Sequence, residues 1–96
     1  MAFGISTGRK VVTTAATREA LASSSLKVQW IVIQAETDNT GIITVGGAGV
    51  VGALSTRQGL PLVVGDKTPP LFDVDLAEVY LDTTVNGDGV TYMFLS

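Results

Sequence analysis

Cysteine and histidine are both missing from this chain. Without cysteine there are no disulfide staples, no thiolate nucleophile and no thiolate-held metal. Without histidine the usual general base, the imidazole of a serine triad and the commonest metal ligand are gone. Charge is scarce as well: Asp, Glu, Lys and Arg make up 16% of the residues, against about 25% in an average soluble domain. Six Lys and Arg in a chain of net charge −3 give no footprint for nucleic acid. Long apolar runs are missing too. Val28–Ala35 contains Gln29 and Gln34, and Ile42–Leu54 is broken by glycine, so neither reaches the roughly 20 residues that cross a bilayer. The opening Met-Ala-Phe-Gly-Ile-Ser-Thr-Gly-Arg-Lys lacks the charged and apolar regions of a signal peptide. The expectation is a protein made and folded in a cytoplasm, with no membrane or nucleic-acid partner.

What is present is apolar and small. Ninety-six residues suit one core. Hydrophobic residues are 46% and the mean hydropathy is +0.41, although a small domain has much surface to cover per residue. Either the surface is rich in Thr, Ser and Gly, or part of it is buried against other subunits.

Eleven glycines punctuate short Val-, Ile- and Thr-rich runs with no helical period, which is the pattern of an all-β chain. Residues 1–9 read as an extended N-terminal arm and 10–96 as one domain. Lys10–Thr14 reads as the first strand, and Thr17–Leu21 as a helical turn capped by Thr17. Leu26–Ala35 is the strongest strand, apolar on both faces and so central. Glu36–Gly41 is a turn and Ile42–Val45 the partner strand. A weak strand is expected at Val50–Leu54 and a short one over Leu60–Asp66, where Pro61 suits an edge. Thr68-Pro69-Pro70 is extended, and Leu71–Val74 pairs briefly before a turn at Asp75–Ala77. Glu78–Thr84 and Val90–Leu95 read as a hairpin about Asn86-Gly87-Asp88-Gly89. Seven or eight short strands at this spacing predict a small β-sandwich, jelly-roll-like.

No group of residues makes a site for chemistry. Asp73, Asp75 and Glu78 are the densest acidic cluster, but a third oxygen donor and the loop glycine of a calcium site are missing. The expected role is a solvated turn. Gly46-Gly47-Ala48-Gly49 is followed by Val50-Val51-Gly52, which cannot open the helix that a phosphate loop needs. Serine and threonine have no base to activate them. No catalytic, metal-binding or cofactor-binding residue is therefore expected, and the chain is read as not an enzyme. Trp30, among Val and Ile, is assigned to the core with Val28, Val32, Ile43, Val45, Val79 and Leu81 as neighbours. Tyr80 and Tyr92 face outward by parity and are candidate contact residues.

Charge is unevenly placed. Up to Lys27 there are four bases (Arg9, Lys10, Arg18, Lys27) and one acid (Glu19), a net of +3. From Asp66 onward there are six acids and one base, a net of −5. Two readings stand: the first strand pairs with the last inside the chain, or a basic arm meets an acidic surface on a neighbour. On the second, Phe3, Ile5, Arg9 and Lys10 are the partner-binding residues of the arm.

The series Trp30-Ile31-Val32-Ile33-Gln34-Ala35, Asn39-Thr40-Gly41-Ile42-Ile43-Thr44-Val45-Gly46, Gly59-Leu60-Pro61-Leu62 with Gly65-Asp66, Asp75-Leu76-Ala77-Glu78-Val79-Tyr80 and Gly87-Asp88-Gly89-Val90-Thr91-Tyr92 resembles small β-rich structural proteins of tailed bacteriophages. The resemblance covers roughly residues 26–95. It implies a virion component, either a capsid decoration (cement) protein or a head-fibre or tail-attached module. Expected partners are further copies of itself, with a trimer first, and the major capsid protein or another virion protein. The alternative from another class is a carbohydrate- or host-surface-binding module using Tyr80, Tyr92 and the 46–58 loops. The resemblance carries no catalytic residue.

Overall fold

The computed structural model describes residues 4–96. Eight strands appear in it: β1 (Ile5–Val11), β2 (Glu19–Ala20), β3 (Lys27–Ala35), β4 (Ile43–Gly46), β5 (Leu60–Leu62), β6 (Leu71–Asp75), β7 (Tyr80–Thr83) and β8 (Gly89–Leu95), with one 3-10 turn at Leu76–Glu78. They form two antiparallel four-stranded sheets, of order β1-β8-β3-β6 and β2-β7-β4-β5. The all-β reading holds.

Alternation along the strands fills one core from both sheets. Ile31, Ile33, Ala35, Val90 and Phe94 come from the first sheet, and Ile43, Val45, Leu62 and Leu81 from the second. Val28, Ile43, Val45, Val79 and Leu81 are buried as expected. Trp30 is not among them. The inward face of β3 is set by Ile31, Ile33 and Ala35, which leaves Trp30 and Val32 half-buried on the outer face. Val28 is nevertheless buried, so the strand exchanges faces between Val28 and Ile31. This change lies opposite Asp73, whose φ of 53° breaks the regular pairing of β6.

Several local expectations change once tertiary pairing is imposed. The expected arm over residues 1–9 is, from Ile5 onward, part of β1, paired with β8 from Ile5↔Leu95 to Val11↔Gly89. It is extended, but hydrogen-bonded into the sheet. Phe3 lies outside the described residues. The first strand thus starts earlier than Lys10 and stops at Val11 instead of Thr14. Thr17–Leu21 makes no helical turn. Glu19 and Ala20 pair with Leu81 and Tyr80, because so short a segment before Ser23 cannot offset helix nucleation. Val50–Leu54 is a loop with one bridge, Val51↔Gln58.

The largest change concerns the two expected hairpins. β3 and β4 lie in different sheets, and so do β7 and β8. Both connections are arches that cross the core at the same end, and their side chains tie them together. Asn39 Nδ2 donates to Gly89 O and its Oδ1 accepts from Gly89 N, each at 2.9 Å. The Asp88 carboxylate accepts from Thr40 N (3.1 Å) and Gly41 N (2.8 Å). Gly87 takes the positive φ that its turn needs, 86°, but Asp88 is spent on the other arch. Gly41 is required there because any Cβ would collide with the Thr84 hydroxyl and the Val85 side chain.

Candidate functional site

Register places a set of apolar side chains on the outer face of the β1-β8-β3-β6 sheet. Ile5 pairs with Leu95, Leu95 with Trp30, and Trp30 with Phe72. Cross-strand partners share a face, so these four residues form a row across the whole sheet. The next row runs Thr7, Met93, Val32. Phe72 is 67%, Ile5 61% and Met93 40% exposed, while Trp30, Val32 and Leu95 are half-buried. Large apolar side chains standing singly in water are ordinary, whereas a contiguous group marks a contact surface.

The second sheet treats its outer face differently. Leu81 and Val45 point inward, so Asp82 and Thr44 point out, yet they are 5% and 0% exposed. The 47–59 loop covers them. Gly52 N donates to Asp82 Oδ2 at 2.8 Å, Val50 is 3% exposed, and Arg18 and Arg57 donate to the loop carbonyls of Val50 and Gly52. No described segment covers the first sheet in this way. A smaller exposed apolar group, Leu54, Val63 and Val64, lies around a depression with Ile42.

The basic residues of β1 find partners within the chain. Arg9 Nε lies 2.6 Å from Glu36 Oε2 on the outer face, and the hydrogen bond and charge of Glu36 raise the Arg9 pKa further. Lys10 points to the other side and meets Glu19 of β2 at 3.1 Å, tying the edges of the two sheets together. Their partners are therefore Glu36 and Glu19, and neither comes from the acidic last third of the chain. Arg9 keeps 58% side-chain exposure and remains available at the rim of the apolar rows.

Tyr80 and Tyr92 are not brought together. Tyr92 lies on the inner face of β8, against the core and stacked on Phe94 with ring centroids 6.0 Å apart. Tyr80 is half-buried on β7 of the other sheet. Among the described residues no three acidic side chains are grouped as a metal site needs, and Asp75 is engaged otherwise. It caps the 3-10 turn through Ala77 N (2.9 Å) and holds Leu26 N (3.0 Å) and the Ser25 hydroxyl. Phe72, Met93 and Leu95 were missed as surface residues. Parity within Thr91–Leu95 held the signal, but only the strand partners say which parity faces out.

Two carboxyls give the fold an acid limit. The Ser25 hydroxyl and the N–H groups of Ala77 and Leu26 hold Asp75 below its ordinary value. Desolvation pushes Glu19 up, but hydrogen bonds from Lys10 and Thr13 outweigh it and lower the group. A carboxyl with a depressed folded pKa adds stability above its unfolded value and loses it as pH falls through the folded one. Melting temperature should therefore drop below about pH 4, and Asp75→Asn should flatten that drop in a melting series. An unchanged acid limb in the variant would remove Asp75 from this role. The chain matches no family model, no curated protein and no solved structure.

Proposed function

We propose that this chain is a non-enzymatic structural subunit of a bacteriophage virion, a capsid decoration protein that packs against copies of itself and the capsid. The observation that carries the reading is the uncovered row Ile5, Leu95, Trp30, Phe72, with Met93 and Val32 beside it, in a chain otherwise short of charge. Such a surface gains about 25 cal/mol for each Å² of apolar area removed from water. The depression beside it, about 540 Å³, is rimmed by Arg9, Lys67 and Gln34, polar groups suited to the edge of an interface.

Strand order supports the same reading. The pairs β1·β8, β2·β7, β3·β6 and β4·β5 are those of one long hairpin folded at β4–β5. Wrapping that hairpin brings β8 to β3 and β7 to β4. We read this order as a jelly-roll sandwich, an architecture recurrent in capsid proteins and lectins. Its function follows from the exposed face and not from the fold alone.

The test is the native mass of the protein, where an oligomer is expected, and its co-sedimentation with capsids of the phage that encodes it. Phe72→Asp should weaken self-association at least about tenfold, as loss of an exposed aromatic anchor from an interface does, with the melting temperature nearly kept because Phe72 buries little. A micromolar monomer that ignores capsids overturns the proposal. An oligomer that ignores capsids retains the self-assembly and removes the virion assignment.

A further inference from the structure

Each of the two sheets has two edge strands, and three of the four are guarded. β2 is two residues long, and β5 is three residues with Pro61 in the middle. β6 is interrupted by Asp73 in the left-handed region. Short strands, proline, kinks and unpaired charges are among the means by which sheets blunt their edges. β1 has none of the first three over its seven residues, and its two charges, Arg9 and Lys10, are paired within the chain with Glu36 and Glu19.

The open groups on β1 can be identified. Gly4 and Ser96 exchange both backbone hydrogen bonds (3.1 and 3.2 Å), and hydrogen-bonded pairs alternate along an antiparallel ladder. With the register of β1 on β8, Ser6, Gly8 and Lys10 bond inward to β8. The N–H and C=O groups of Ile5, Thr7, Arg9 and Val11 point away from the sheet. Among the described residues no backbone group from outside the strand reaches them.

We infer that β1 pairs antiparallel with β1 of a second copy about a two-fold axis at Gly8, joining the two first sheets into one of eight strands. This register sets Ile5 opposite Val11 and Thr7 opposite Arg9 of the second copy, so all four open residues of each strand exchange hydrogen bonds. It also separates like charges: Arg9 meets Thr7, and Lys10 meets Ser6. Shifting the register to put Arg9 on Arg9 brings two cations together. Gly8 falls on the axis in a non-hydrogen-bonded pair, where the backbones come closest, and glycine within a strand marks such close approach. The inner side of Gly8 is closed by Tyr92, since a Cβ there would lie 2.5 Å from its ring. The apolar row then continues across the junction, with Ile5 beside Val11 of the other copy.

The inference rests on self-association but not on the capsid assignment. Thr7→Pro tests it, because the Thr7 N–H makes no bond to β8 and proline is tolerated where the N–H faces out of an edge. The variant should keep its β-sheet circular dichroism and weaken the two-chain species at least about tenfold. As a second measurement, Ser6→Cys combined with Lys10→Cys should oxidise to a covalent dimer, since these positions face each other across the axis. Within one chain they are about 13 Å apart, too far for a bridge. If the wild-type oligomer persists in Thr7→Pro and the paired cysteines do not cross-link, the edge inference falls while self-association through the outer face stands. If the wild type is monomeric at micromolar concentration, both fall.

Discussion

Ile31→Ala should cost about 2–5 kcal/mol of unfolding free energy, while Trp30→Ala next to it should cost only about 1 kcal/mol. Residue size alone suggests the opposite order. Ile31 is fully buried, at 0% exposure, among the core residues of both sheets. Shortening it leaves a cavity that the surrounding strands cannot close. Trp30 stands on the other face, half-buried between Leu95 and Phe72, so its removal opens no internal space. Urea titrations of the two variants, compared by midpoint at equal slope, measure the difference. Equal losses would mean that the outer face of the first sheet is packed as a core. Loss of Trp30 should show instead in weaker self-association, because aromatic anchors dominate protein interfaces.

Asp88→Ala should be the most damaging polar substitution, at about 2–4 kcal/mol. Asp88 is 4% exposed, and its carboxylate is the acceptor for the N–H groups of Thr40 and Gly41. Alanine leaves both N–H groups without their carboxylate acceptor at a part-buried position. Asp88→Asn keeps one oxygen and should lose less. The damage should also be local. Hydrogen exchange should accelerate first in the 36–42 and 84–88 connections, because the Asn39 and Asp88 bonds add to the ties that Glu36 N to Gly89 O, Thr84 N to Ile42 O and Ile42 N to the Thr84 hydroxyl make between these arches. If both variants unfold at the wild-type midpoint, the core strands and the backbone bonds between the arches suffice, and the Asp88 ties add nothing.

Much of the strand content was legible in the chain. The alternation around Val28–Ala35, the β-branched run Ile42–Val45 and the Asn-Gly-Asp-Gly turn each mark what the structure contains. Val28, Ile43, Val45, Val79 and Leu81 were readable as core because apolar residues in short strands have few other places to go. The surface was less legible. Phe72, Met93 and Leu95 look like core residues until their strand partners are known. Asp75, expected to be a solvated turn residue, holds Leu26 and Ala77 across 49 and 2 residues of chain.

The sequence by itself determined that the chain is all-β, where most strands run and where the turns fall, since strand period, β-branching and turn glycines act over a few neighbouring residues. Tertiary structure decided which strands pair. A period of two separates the faces of a strand without saying which sheet receives it, so a strand–turn–strand segment serves equally as a hairpin or as an arch. Asn39 and Asp88 favour the arches through bonds across 50 and 48 residues of chain, and no local pattern carries that information. The same long-range choice turned Trp30 outward, because the second sheet packs on the face of β3 that carries Ile31, Ile33 and Ala35.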